Sequence, residues 1–161
     1  MFDITKIRGE FPILNQKING NNLVYFDNGA TTQKPTSVIE SIKRYYTSEN
    51  SNVHRGAHFL SSLATEKLED TRRSVHKLIN SQHVYEIIFT KGTTDSINLV
   101  ANSLQPFLSK GDEVLISELE HHSNIVPWQL CCEKTGASLK VIPVLPNGEL
   151  NLEHLSSLLT N

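Results

Sequence analysis

The chain has 161 residues, of which 38% are hydrophobic and 20% charged, and a formal net charge of −2. That length suits one domain with a real core, and the composition is that of an ordinary soluble globular protein. The charge leaves no electrostatic footprint for nucleic acid or an anionic membrane. No apolar run approaches the ~20 residues of a transmembrane helix, and Met1-Phe2-Asp3-Ile4-Thr5-Lys6 carries no signal-peptide pattern.

Ile4, Ile7 and Phe11 at helical spacing predict a short amphipathic helix up to Pro12. Asn19-Gly20-Asn21-Asn22 is a turn signal, and Leu23-Val24-Tyr25-Phe26 reads as a short strand stopped by Asp27-Asn28-Gly29. Pro35 suits the first turn of a helix carrying Val38, Ile39, Ile42 and Tyr45 on one side. Asn50 to His58 is a polar loop holding His54, Arg55 and His58. A helix follows over about Ser61 to Asn80, with Leu60, Ala64, Leu68, Val75 and Leu78 facing inward.

Glu86-Ile87-Ile88-Phe89-Thr90 predicts a buried strand, Lys91-Gly92 a tight turn, and Thr93 onward a helix with Ile97, Val100 and Ala101 on one side. Leu104 to Gly111 is a connection. Asp112 to Ser117 is a second strand, and Glu120-His121-His122-Ser123-Asn124 follows its C-terminal end. Val126 to Thr135 reads as a helix stopped by Gly136, Ser138 to Val144 as a third strand, and Leu152 to Leu159 as a last helix. Cys131 and Cys132 are adjacent, so a bridge between them would be badly strained; reduced thiols are the expected state. No histidine sits at finger-like spacing from them, so no metal site is expected.

From Glu86 onward the order strand, helix, strand, helix, strand, helix predicts an α/β arrangement with parallel strands and crossover helices. Ligands bind at the C-terminal ends of such strands. Gly92-Thr93-Thr94 and Glu120-His121-His122 both stand there. At a helix start the first N–H groups lack intrahelical partners and the dipole is positive, so the Gly92 corner favours a phosphate, with two Thr hydroxyls as further donors. The plainer reading is a helix N-cap by Thr93 or Thr94. His121 offers an aromatic face for a flat ring and a nitrogen for proton transfer, against an ordinary loop histidine. A phosphate cradle beside an imidazole suits a planar phosphorylated cofactor such as pyridoxal 5′-phosphate.

Four motifs carry a resemblance: Tyr25-Phe26-Asp27-Asn28-Gly29-Ala30-Thr31-Thr32-Gln33-Lys34-Pro35, Val53-His54-Arg55-Gly56, Lys91-Gly92-Thr93-Thr94-Asp95-Ser96-Ile97-Asn98-Leu99-Val100-Ala101-Asn102, and Glu120-His121-His122-Ser123-Asn124-Ile125-Val126-Pro127-Trp128-Gln129. Together they closely resemble the N-terminal part of SUF-type (NifS-like, group II) cysteine desulfurases. These are class-V aminotransferase-like enzymes of fold type I that use pyridoxal phosphate. The resemblance implies a helix and turn over 1–22 and part of the large cofactor-binding domain over 23–161. It implies that Thr93 and Thr94 contact the cofactor phosphate, Thr94 most directly. His121 would stack on the ring and serve as the catalytic proton carrier. Ala30, His54 and Arg55 would lie near the substrate entrance, with plainer roles for His54 as a loop hydrogen bond and for Arg55 as a surface ion pair. L-cysteine as substrate, a sulfur-acceptor protein, a homodimer, iron–sulfur cluster assembly and a cytoplasmic location are further implications.

The family's enzymes are roughly 400 residues long, and the resemblance implies a later Schiff-base lysine, an aspartate on the pyridine nitrogen and a cysteine nucleophile. No run matching them stands in these residues; Lys91, Cys131 and Cys132 are not those groups. The expectation is an N-terminal portion that does not desulfurate cysteine by itself and that, through its open sheet edge, self-associates, swaps segments or is stable only with a complementary fragment. Competing readings are a non-catalytic interaction or dimerisation module, a phosphate-binding α/β domain for another ligand, and, within the family, a selenocysteine lyase or other class-V lyase.

Overall fold

Local caps and turns account for much of the chain's first part. The computed structural model describes residues 3–159. Helix α1 (Ile4–Gly9) begins where the Asp3 carboxylate accepts from the Lys6 amide at 3.0 Å. Asn19 and Gly20, with φ of 52° and 81°, form a two-residue turn that pairs β1 (Lys17–Ile18) with β2 (Asn21–Asn22) in antiparallel register. The Leu23 amide donates to the Gln16 carbonyl at 3.1 Å.

Leu23–Phe26 is therefore not the strand that its β-forming residues predict. The tight Asn-Gly turn spends the pairing on the residues before it. Residues 23–26 belong to no ladder among the described residues, leaving Phe26 93% exposed. Helix α2 (Thr36–Arg44) is present, with Pro35 as its extended N-cap rather than in its first turn and Tyr45 just past its end, and α3 runs Phe59–Ile79. Ser61 and Ala64 form the buried face of α3, and Asn80 ends it in the left-handed conformation. Leu78, expected to face inward, is 83% exposed.

Two compact units divide the chain, Met1–Ile87 and Ile88–Asn161. The strand expected from Glu86 to Thr90 is also absent. Val84–Glu86 forms a 3-10 turn, and the residues that follow are extended without a strand partner among the described residues. Apolar β-formers favour an extended backbone, but a ladder needs a neighbour to pair with. The Ile87 carbonyl is instead met by the Arg72 guanidinium.

The second unit is built on β3 (Glu113–Ser117) and β4 (Ser138–Ile142), which pair in parallel from Glu113 opposite Ser138 to Ser117 opposite Ile142. Helices α4 (Thr93–Leu104) and α6 (Leu152–Leu158) flank this pair in sequence. Between the strands lies the crossover helix α5 (Val126–Thr135), with Pro127 in its first turn and Gly136 in the left-handed conformation at its end. Ala101, Ile116, Cys131, Cys132 and Ala137 form its buried core. The Cys131 thiol donates to the Ala101 carbonyl at 3.4 Å, and both cysteines are free. Burial, then the neighbouring Cys131, pushes the Cys132 thiol above its ordinary range. The parallel α/β pattern is thus present, with two paired strands among the described residues rather than three.

Candidate functional site

The turn before α4 is held by its own hydroxyls. The Thr90 and Ser96 hydroxyls lie 2.7 Å apart, and the Ser96 amide donates to the Gly92 carbonyl at 3.0 Å. The Asp95 carboxylate accepts from the Lys91 amide at 3.1 Å. Gly92 is the N-cap, with φ of 152°, a backbone that a side-chain-bearing residue adopts only with strain.

Because the cap is a glycine, no side chain caps α4, and Thr93 and Thr94 stand inside its first turn. The plain-cap reading of these two threonines does not hold. Their hydroxyls stay out of the helix's own capping, and their amides lack intrahelical acceptors. Lys91, Gly92, Thr93, Thr94, Asp95 and Asn98 line a hollow of about 420 Å³ at this end.

A second hollow of about 310 Å³ is lined by Thr94, Asn98, His121, His122, Ser123, Val126 and Pro127. Thr94 and Asn98 line both. The Asn98 side-chain amide donates to the Thr94 carbonyl at 2.8 Å. Sequence reasoning passed over Asn98; its signal was the i,i+4 spacing from Thr94 on one helix face.

His121 leads into the 3-10 turn His122–Asn124 after β3. Its Nδ1 accepts from the Ser123 amide at 3.2 Å and lies 3.0 Å from the Ser123 hydroxyl. Glu120 is tied beside it: Ser117 donates to Oε1 and Asn124 to Oε2, both at 2.7 Å, and the Trp128 indole donates to Asn124 at 2.8 Å. The Asn124 hydrogen bond, then that of Ser117, holds the Glu120 carboxyl below its ordinary value.

Ala30, His54 and Arg55 belong to the first unit. Ala30 is exposed in a turn where the Thr31 amide donates to the Asp27 carbonyl at 3.1 Å, and the Tyr25 hydroxyl lies 2.6 Å from the Thr31 carbonyl oxygen. His54 has φ of 63°; its amide donates to the Thr65 hydroxyl at 2.9 Å, and its Nε2 lies 3.4 Å from Glu69 Oε1. The buried Ser61 hydroxyl closes this loop, accepting from the Gly56 amide at 3.0 Å and meeting the Asn52 carbonyl at 2.7 Å. Arg55 is exposed. Among the described residues no cluster of His, Cys, Asp or Glu is placed to hold a metal ion, and no helix is long and apolar enough to cross a membrane.

The residues present fit pyridoxal phosphate. A helix end with uncapped donors suits its tail, and an adjoining hollow bordered by an imidazole and apolar Val126 and Pro127 suits its flat ring.

Residues 24–161 match the aminotransferase class-V family. A probable cysteine desulfurase of Staphylococcus aureus (strain COL) is 49% identical over 155 residues, 96% of this chain and 38% of that protein. A cysteine desulfurase of Salmonella newport is 47% identical over 158 residues, 98% of this chain and 39% of that protein. The apo cysteine desulfurase of Thermococcus onnurineus NA1 superposes with a TM-score of 0.87 at 37% identity, over 98% of this chain and 38% of that structure. The chain thus spans well under half the length of these relatives, and its fold is that of their N-terminal part, within fold type I.

Proposed function

The chain belongs to the class-V aminotransferase family, pyridoxal-phosphate-dependent enzymes, and from that premise we propose that it forms the cofactor-gripping part of a cysteine desulfurase. In this reading the whole enzyme converts L-cysteine to L-alanine and passes the sulfur, as a persulfide, to an acceptor protein for iron–sulfur cluster assembly. It works as a cytoplasmic homodimer. Residues 1–22 are a leading helix and turn, and 23–161 are part of the large domain.

The observation that carries the reading is Thr94, shared between the hollow at the start of α4 and the hollow bordered by His121. The amides and hydroxyls of Thr93 and Thr94 hold the phosphate, and Asn98 steadies Thr94 through its carbonyl. His121 covers the ring face and moves a proton during turnover. When bound, pyridoxal phosphate supplies the electron sink for breaking the carbon–sulfur bond. Ala30, His54 and Arg55 border the substrate entrance. None of the 161 residues matches the family's Schiff-base lysine, so these residues on their own bind without turnover.

A titration with pyridoxal phosphate, with and without inorganic phosphate as competitor, followed by borohydride reduction and peptide mapping, tests this. The expected result is saturable binding that phosphate displaces, with no single lysine reduced. Binding that phosphate does not displace contradicts the cradle. One specifically reduced lysine contradicts its assigned absence.

The exposed Phe26, Leu78 and Phe107, 93%, 83% and 79% exposed, favour a second reading as an interaction module. Gel filtration with an intact related desulfurase decides it: a mixed species supports the module, and separate elution removes it.

A further inference from the structure

The Ser123 backbone amide and hydroxyl both meet one atom, Nδ1 of His121. An imidazole nitrogen accepts a hydrogen bond only while it carries no proton. The hydroxyl could rotate and reverse its role, but the amide N–H is a donor only. We infer that Ser123 is a positioning residue that fixes neutral His121 as the Nε2–H tautomer, so that Nε2 is the atom through which the imidazole gives and takes a proton. The proton-transfer half of this inference rests on the reading of the His121 hollow as a cofactor site; the tautomer half does not.

Three further observations support it. Nε2 of His121 has no hydrogen-bond partner among the described residues, whereas Nδ1 accepts from the Ser123 amide and also meets the Ser123 hydroxyl. The backbone around the ring is held as well, since the Asn124 amide donates to the His121 carbonyl at 2.7 Å. Asn124 is in turn fastened to Glu120 and Trp128 on either side. Ring and backbone are therefore fixed by different bonds, and the Ser123 contact alone decides which nitrogen bears the proton. Left to water, a neutral histidine samples both tautomers.

The test is long-range 1H–15N correlation on the histidine-labelled chain above the histidine titration range, with the His121 signals identified by their loss in His121→Gln. The expected spectrum shows one neutral form, protonated at Nε2 and bare at Nδ1. A His121 Nδ1–H form in the wild-type chain overturns the inference. Ser123→Pro removes both donors and is expected to make the Nδ1–H form visible. A folded Ser123→Pro with an unchanged His121 pattern also overturns it. Should that variant fail to fold, the 15N–15N coupling across the hydrogen bond between the Ser123 amide and His121 Nδ1 decides in the wild-type chain: presence supports the inference and absence overturns it.

Adding pyridoxal phosphate separates the two halves. A larger shift at Nε2 than at Nδ1, together with a shift of the Thr94 amide, supports proton transfer through Nε2. A Thr94 response with Nδ1 moving more than Nε2 overturns that half. If neither Thr94 nor His121 responds, the cofactor reading fails, and proton transfer toward it with it, while the tautomer assignment stands.

Discussion

Trp128 donates its indole N–H to the side-chain oxygen of Asn124 at 2.8 Å, and Asn124 passes its own N–H to Glu120 at 2.7 Å. This chain of bonds runs alongside His121 and ends on an ionised carboxylate that also accepts from Ser117. A carboxylate whose folded pKa is depressed contributes stability above its unfolded value and loses it as pH falls through the folded one. The ordinary value is 4.5 and the Glu120 shift is downward. The Trp128 indole and Asn124 side-chain amide signals are thus expected to move together in an acid step whose midpoint lies below 4.5. Glu120→Gln should abolish that acid step. A step well above 4.5 in the unmodified chain would contradict the network.

Thr94→Val removes one hydroxyl donor at an exposed position and leaves the backbone amide in place. A hydrogen bond to a charged group contributes about 1.5–3 kcal/mol, so the affinity for pyridoxal phosphate should fall roughly 10-fold or more. Thermal stability should stay within about 0.5 kcal/mol. Fluorescence or absorbance titration reads the first quantity and a melting curve the second. Equal affinity in both proteins would place the phosphate elsewhere.

Gly56 has a different reason to be glycine from Gly92. A Cβ on Gly56 would sit 2.5 Å from both Cβ and Oγ of Ser61, which is only 1% exposed. A Cβ on Gly92 meets nothing within 4 Å, but the φ of 152° penalises it. Gly56→Ala is expected to cost about 1–3 kcal/mol through overpacking. Gly92→Ala is expected to cost about 1–3 kcal/mol through backbone strain. Denaturant midpoints measure both. The two differ in one readout: only Gly56→Ala should disturb the His54 amide, which lies in the same loop as Gly56 and donates to the Thr65 hydroxyl of α3.

Cys131 and Cys132 are buried, and the raised pKa of Cys132 keeps it a thiol at neutral pH. Alkylation should therefore be slow in the folded chain and follow global unfolding in denaturant. Fast labelling without unfolding would contradict the packing of α5.

The end of helix α5 was readable because its signal is local: Gly136 at the stop is the property of a single residue. The strands expected at Leu23–Phe26 and from Glu86 to Thr90 failed for the opposite reason. Apolar β-formers show that a segment suits a sheet, whereas membership depends on a second segment presenting its edge. Leu78 misled in a related way, because helical spacing identifies a stripe and not what covers it. At the site, Thr94 and His121 were legible as corners after predicted strands. Asn98 and the Ser123 grip on His121 were not, since both emerge only once side chains are placed in space.

The central claim is that Thr93 and Thr94 grip one end of a molecule whose ring lies under His121. The most direct measurement is an NMR spectrum of the chain with saturating pyridoxal phosphate, recording the Gly92, Thr93 and Thr94 amides and the cross-relaxation between ligand ring protons and the His121 ring. Shifts at those amides and ligand-to-His121 cross-peaks in the same complex are the predicted result. Amides that respond while His121 shows no contact with the ligand, or amides that do not respond at all, would contradict it.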